Sequence, residues 1–228
     1  MSFRLSYRAD PGNPWFSWQY VRDNSDTVLA ALRDHTTLTL RAVLIAALIA
    51  VPLAVVAYWF RPLTGPILAL TGVLYTVPSL AVFAFVAPYL GIGAATVLSV
   101  VVLYALLVIV RNTVAGLNQV PAEVREAAEG MGYGRFGRLL RVELPLAVPG
   151  ILTGLRLATV STVALVTVGV VIGRGGLGQI IFAGFQNNLY KAQITTGTLL
   201  CVLLALVLDL LLVGAGWLLT PWLRGRAG

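Results

Sequence analysis

Residues 123–145 read EVREAAEGMGYGRFGRLLRVELP, with four Glu, four Arg and four Gly inside a chain of 228 residues that is 58% hydrophobic. Glu123, Glu126 and Glu129 recur every three residues just after Pro121. Proline suits the first turn of a helix, and negative charge suits its positive end. Gly130, Gly132 and Gly134 then permit backbone angles closed to other residues. Arg135, Arg138 and Arg141 repeat the three-residue spacing up to Pro145, which reads as a stop. The pattern predicts a short acidic helix, a sharp bend with small Ala127 and Ala128 at an exposed elbow, and a second helix outside the bilayer. A shape of this kind suits insertion into a cleft on another protein.

On either side the chain is apolar. Only 11% of residues are charged, against about a quarter in soluble domains. A bilayer core of about 30 Å needs roughly 20 apolar residues per helix. Five runs meet that length, at about 36–60, 66–90, 94–115, 146–171 and 194–220. The fold class expected is an all-α membrane protein of about five transmembrane helices, with one helix-turn-helix loop at 118–145. Residues 1–35 form a separate amino-terminal segment and 36–228 a single transmembrane domain.

The net charge of +7 comes from 16 basic residues scattered among loops and helix ends. Such scatter argues against nucleic acid and follows from the positive-inside rule. With the 118–145 loop cytoplasmic, the inner side receives Arg61, Arg111, Arg125, Arg135, Arg138, Arg141, Arg224 and Arg226. The outer loops keep Arg174 and Lys191. Five spans then place the amino terminus outside and the carboxyl terminus inside. Arg4, Arg8, Arg22 and Arg33 lie outside, interleaved with Asp10, Asp23, Asp26 and Asp34. This segment lacks the short apolar core of a cleavable signal. Trp15, Phe16, Trp18 and Tyr20, followed by Val28, Leu29 and Leu32 at helical spacing, suit an interfacial segment or a tail packed on its own helices. Cys201 is the only cysteine, so neither a disulfide framework nor a cysteine-rich metal site is available.

Glu126-Ala127-Ala128, three residues, Gly132, nine residues, then Val142-x-Leu144-Pro145 resembles the EAA loop of the membrane-spanning subunits of binding-protein-dependent ABC importers. Val142 departs from the isoleucine usual there. The stretches LTLRAVLIAALIAVPLAV, TVPSLAVFAFVAPYLGIG, LYALLVIVRNTVAGL, VELPLAVPGILTGLRLATV and IGRGGLGQIIFAG resemble the permeases of osmoprotectant importers, which carry glycine betaine, choline or carnitine. Methionine-importer permeases share a similar five-span plan. Arg174 and Gln179 replace residues of the family's usual GAGGLGD, which leaves the substrate open. The resemblance covers about 36–220. It implies ATPase subunits docking on Glu126, Ala127, Ala128, Gly132, Val142, Leu144 and Pro145, and an extracytoplasmic substrate-binding protein. It also implies that ATP and magnesium are bound by the partners, with no cofactor in this chain. Closure of those subunits would move the loop as a rigid lever between outward-open and inward-open states.

No GxxxxGK[ST] phosphate loop is present, so any ATP hydrolysis falls to separate subunits. Gly173-x-Gly175-x-x-Gly178 fits a dinucleotide fingerprint, but no βαβ unit surrounds it and no acidic residue follows at the required distance. It reads better as a re-entrant turn where glycines let backbones approach. Tyr75, Pro78 and Ser79 in YTVPSL put a kink and two polar groups in the second span, a candidate for the solute path. His35 reads as interfacial. Catalytic carboxylate pairs, Ser/His/Asp sets and metal spacings are missing, so no enzyme is expected.

Without internal repeats, and with an odd number of spans, a pathway requires a second copy or a homologous subunit. The alternative is a self-sufficient channel or ion-coupled carrier. A carrier would need repeats and ionisable groups in several spans, where only Arg41, Arg156 and Asp209 are candidates. Arg156 lies 11 residues past Pro145 and Asp209 lies 11 before Thr220. At 1.5 Å per residue both sit about 16 Å from the inner boundary, and a pair at that shared depth is expected.

Overall fold

The computed structural model describes residues 12–222. Arg4, Arg8, Asp10, Arg224 and Arg226 of the charge reading lie outside the described residues. Every regular element among the described residues is helical. In chain order these are α1 (Trp18–Asp23), α2 (Ser25–Trp59), α3 (Arg61–Thr76), α4 (Ser79–Leu90), α5 (Ala94–Asn118), α6 (Ala122–Gly130), α7 (Arg135–Arg138), α8 (Leu144–Val168), α9 (Leu177–Gln186) and α10 (Lys191–Leu219).

Helix α2 runs for 35 residues, about 52 Å at 1.5 Å per residue. It begins at Ser25, ahead of the first apolar run, because Val28 and Leu32 already pack against the Leu177–Ile180 end of α9. Its inward face is a stripe of small residues: Ala42, Ala46, Ala50, Ala54 and Ala57 are fully buried. Spaced by three or four, they lie on one side of the helix and let α5 approach closely, the packing mode available where lipid removes the hydrophobic drive between helices. Helices α5 and α8 close in the same way. A Cβ added to Gly150 would fall 2.6 Å from Gly116 Cα. The central layer is therefore α2, α5 and α8, and α10 lies on α8 and α9 at its side.

The second apolar run does not form one straight span. Helices α3 and α4 meet at 96° across Val77-Pro78. Pro78 lacks an N–H and drives Val77 out of the helical region, to φ −68° and ψ 128°. Among the described residues four helices are long and apolar enough to cross a membrane, and the bent pair makes up to five.

Pro145, read from sequence as a stop, does not end a helix. Helix α7 passes through one wide turn at Leu139–Glu143, where the Leu144 N–H bonds back to the Leu139 carbonyl, and continues into α8. Pro145 stands at the start of α8. A π turn of this kind re-spaces the backbone groups that a proline ring and its missing N–H would otherwise disrupt.

Candidate functional site

The loop that breaks the apolar chain is built as an elbow. Helix α6 ends at Gly130, and the chain reverses through Gly132 at φ +86°. Nothing lies within 4 Å of where a Gly132 Cβ would stand, so the glycine answers a demand for backbone angle, not for space. Glu126 and Ala127 face outward. Ala128 does not, a correction to the exposed elbow expected of both alanines. It is buried beside half-buried Val124, because residues four apart share one helix face and this one is turned inward. The apolar tip is instead Met131, 71% exposed. Val142, Leu144 and Pro145 are half-buried in the wide turn and the first turn of α8.

A polar network ties this elbow to the membrane body. Glu143 is fully buried. Its Oε1 accepts from Tyr58 Oη at 3.3 Å and lies 2.8 Å from Arg138 Nε. Tyr58 Oη in turn accepts from Arg125 Nη1 at 3.1 Å, and Arg138 also pairs with Glu129. The Arg135 guanidinium stands 4.7 Å from the Trp59 ring centre while Nη2 donates to the Trp59 carbonyl at 2.9 Å. Burial of a carboxylate without such partners is costly.

The second candidate region lies at the α3–α4 break. Tyr75, Thr71 and Thr76 of α3 face Arg111 and Asn112 of α5 and Ser161 of α8 across a cavity of about 690 Å³. Tyr75 lines it, whereas Pro78 and Ser79 do not. The carbonyl that the missing Pro78 N–H would have bonded, that of Leu74, accepts from the Val77 N–H at 3.2 Å instead. Tyr104 Oη donates to the Val77 carbonyl at 2.5 Å, with its ring 6.0 Å from that of Tyr75.

At the opposite end from the elbow, the glycine segment folds back on the bundle. A Cβ on Gly178 would lie 2.4 Å from the Thr167 carbonyl oxygen, one on Gly175 2.6 Å from Val170 N, and one on Gly176 2.6 Å from His35 Cβ. This is the close backbone approach read from the glycine spacing. His35, expected at an interface, is fully buried. Its Nδ1 accepts the Leu177 N–H at 3.2 Å, which leaves the Nε2 proton to donate to the Val163 carbonyl at 3.1 Å. A neutral ring thus joins α2, α8 and α9. Beside it Arg174 forks onto Asp34, with Nη2 to Oδ1 at 2.7 Å, and those hydrogen bonds raise the guanidinium pKa above its ordinary value. At the tail, Asn13 bonds to the Leu189 carbonyl and the Lys191 N–H, and the Tyr20 ring meets Tyr190 edge-on at 5.5 Å. Trp15 and Trp18 remain exposed. The segment thus combines packing on its own helices with outward aromatics.

Comparison with known proteins places this architecture. Residues 42–225 match the family described as binding-protein-dependent transport system inner membrane component. The chain belongs to this family. It is 36% identical over 204 residues to the choline transport system permease protein OpuBB of Bacillus subtilis, covering 89% of this chain and 93% of that one. It is 37% identical over 207 residues to the osmoprotectant import permease protein OsmW of Salmonella typhimurium, covering 89% and 96%. The carnitine transport permease protein OpuCB of Listeria monocytogenes is 34% identical over 203 residues, covering 89% and 92%. In fold, the chain superimposes on an inward-facing structure of the MetNI methionine ABC transporter with a TM-score of 0.77, covering 87% of this chain and 98% of that chain at 18% identity. It is a multi-pass membrane protein with the helical plan of a type I importer permease.

Within this transport-family chain the structure brings Arg156 of α8 and Asp209 of α10 into direct contact. It joins Glu126, Ala127 and Gly132 in one outward elbow but separates Tyr75 from Pro78 and Ser79. Glu143, Tyr58, Tyr104 and Met131 were not singled out from sequence. Glu143 carried a signal, being a lone carboxylate directly before the Leu144-Pro145 start of an apolar run.

Proposed function

We propose that this chain is the membrane-spanning subunit of an ATP-driven importer that moves a small osmoprotectant, such as glycine betaine, choline or carnitine, into the cytoplasm. The observation that carries the reading is the identity of about one residue in three, over nearly the whole chain, to permeases named for those solutes. The likeness to a methionine transporter rests on 18% identity and concerns the fold alone, so the methionine reading gains nothing from it.

In this reading the Glu126–Gly132 elbow is the surface that ATPase subunits grip, and the loop lies on the cytoplasmic side, with the amino terminus outside and the carboxyl terminus inside. ATP and magnesium are held by those subunits, and an extracytoplasmic binding protein delivers the solute. The chain itself is non-catalytic. A second copy, or a related permease, covers the face that carries the Tyr75–Arg111 cavity and completes the path. Motion imposed on the elbow passes through the wide turn at Leu139–Glu143 into α8, which lines that cavity.

The test is uptake by the complex reconstituted into vesicles, with and without ATP, offered betaine, choline, carnitine and methionine. ATP-dependent uptake of a quaternary ammonium solute supports the reading. Uptake of methionine alone, or uptake without ATP, overturns it.

A further inference from the structure

A cavity of about 700 Å³ opens beside the elbow, between the α2–α3 corner and the loop helices. Arg61, Arg125, Arg135 and Arg138 line it together with Tyr58 and Trp59. Only Arg138 has carboxylate partners, Glu129 and Glu143. Among the described residues no carboxylate lies within ion-pair distance of Arg61, Arg125 or Arg135. Among the described residues Arg125 meets the Tyr58 hydroxyl, and Arg135 meets the Trp59 carbonyl and the faces of Trp59 and Phe60. The Trp59 ring lines the same cavity, and its indole N–H is buried without a hydrogen-bond partner. Three like charges without a carboxylate partner lining one cavity are complementary to a multivalent oxyanion.

We infer that this cavity binds the phosphate headgroup of an anionic membrane lipid. A lipid is favoured over other anions because the rim on one side is apolar. Phe60 lines the cavity and is exposed, as are Leu63, next to the lining residue Pro62, and Phe136, whose ring lies 6.4 Å from that of Trp59, and the cavity sits at the corner where the apolar helix α2 turns into α3. Basic pockets between helices, at the level of the lipid headgroups, are the expected form of such sites. Planar guanidinium forks suit phosphate oxygens, and Trp59 is an aromatic of the kind found at the headgroup level. The ligands come from both parts of the protein: Arg61 from the membrane body, Arg125 and Arg135 from the loop. A bound phosphate therefore ties the elbow to the body, so occupancy sets how freely the loop moves.

The experiment uses the full chain in neutral detergent, titrated with phosphatidylglycerol, phosphatidylcholine, inorganic phosphate or a short poly-glutamate peptide. Retained lipid is read by native mass spectrometry and stability by thermal melting. Arg61→Gln, which removes an arginine with no partner among the described residues, and the double variant Arg61→Gln with Arg135→Gln are compared with Arg141→Gln, an exposed arginine that does not line the cavity. Phosphatidylglycerol, and not phosphatidylcholine, is expected to stay bound and raise the melting midpoint of the wild type and of Arg141→Gln. The double variant should bind it at least tenfold more weakly, with Arg61→Gln between. Equal binding by the double variant, or equal stabilisation by phosphatidylcholine, would overturn the site. Stabilisation matched by inorganic phosphate would make it a free-anion site, and Arg61-dependent capture of poly-glutamate in place of lipid would make it a protein-docking surface. Either result overturns the lipid assignment.

Discussion

Arg156 grips Asp209 with two parallel bonds, Nε to Oδ1 at 2.7 Å and Nη2 to Oδ2 at 2.9 Å, joining α8 to α10 midway along both helices. A forked pair holds orientation as well as charge. Arg156→Gln or Asp209→Asn alone strands one charge within the membrane, so folded yield and uptake should both fall. The double variant should recover most of the folded yield, because no lone charge remains. Strictly additive losses across the four chains would show that the two side chains are satisfied independently.

Gly132→Leu is expected to leave the chain in the membrane while weakening the grip of the ATPase subunits. The backbone at φ +86° costs a residue with a side chain about 1–2 kcal/mol. The elbow would relax away from its angle rather than accept that strain. Co-purification of the ATPase and ATP-dependent uptake measure it, and wild-type values for both would remove Gly132 from the docking role.

Tyr104→Phe tests the broken span. The substitution keeps the ring but leaves the Val77 carbonyl without the hydroxyl that now bonds to it at 2.5 Å. Stranding a polar group of this kind costs about 1–3 kcal/mol. A lower melting midpoint is expected, along with lower uptake, because the break that positions Tyr75 at the cavity loses its tether to α5. An unchanged midpoint would mean that the bend is held by Pro78 alone.

Gly176→Ala should loosen the three-helix junction at the end opposite the elbow. Its Cβ would fall 2.6 Å from His35 Cβ, at a residue whose φ is +52°. The Leu177 N–H would be pushed away from His35 Nδ1. Faster proteolysis of the 173–190 segment in membranes is the expected readout, and wild-type rates would show that the junction tolerates the methyl group.

Gln179 is exposed at this same end, its Nε2 donating to the Gly173 carbonyl at 3.1 Å. In a Cys201→Ser chain, Gln179→Cys should react with membrane-impermeant thiol reagents added outside the cell. Labelling from the cytoplasmic side alone would invert the proposed orientation.

The parts of this fold legible in the sequence are those set by local pattern. The apolar runs of α5 and α10 stand close to their observed ends, Gly132 sits at the bend its neighbours predicted, and Pro78 breaks the run it interrupts. What escaped depends on contacts far apart in the chain. His35 looks interfacial by position, yet its partner Val163 lies 128 residues on. Tyr104 meets a carbonyl 27 residues back, and Tyr58 reaches Glu143 across 85. Pro145 misleads for a different reason: a proline reads as a stop or as a first turn depending on the backbone before it, and the wide turn at Leu139–Glu143 leaves no mark in composition. Ala128 shows the limit at single-residue scale, since Ala127 and Ala128 are identical in chemistry and only the helix phase decides which is buried.

The Arg156–Asp209 pair also has a history in time. Fifty-three residues separate the two, and at synthesis rates of about 5–20 residues per second the arginine is made about 3–10 s before its partner. During that interval α8 must enter the membrane with its charge held by water, lipid phosphate or the insertion machinery. A nascent chain stopped before Asp209 keeps that orphan in place. Quality-control proteases that recognise unpaired charges in the bilayer would thus distinguish a chain that includes Asp209 from one that stops short of it by a single carboxylate.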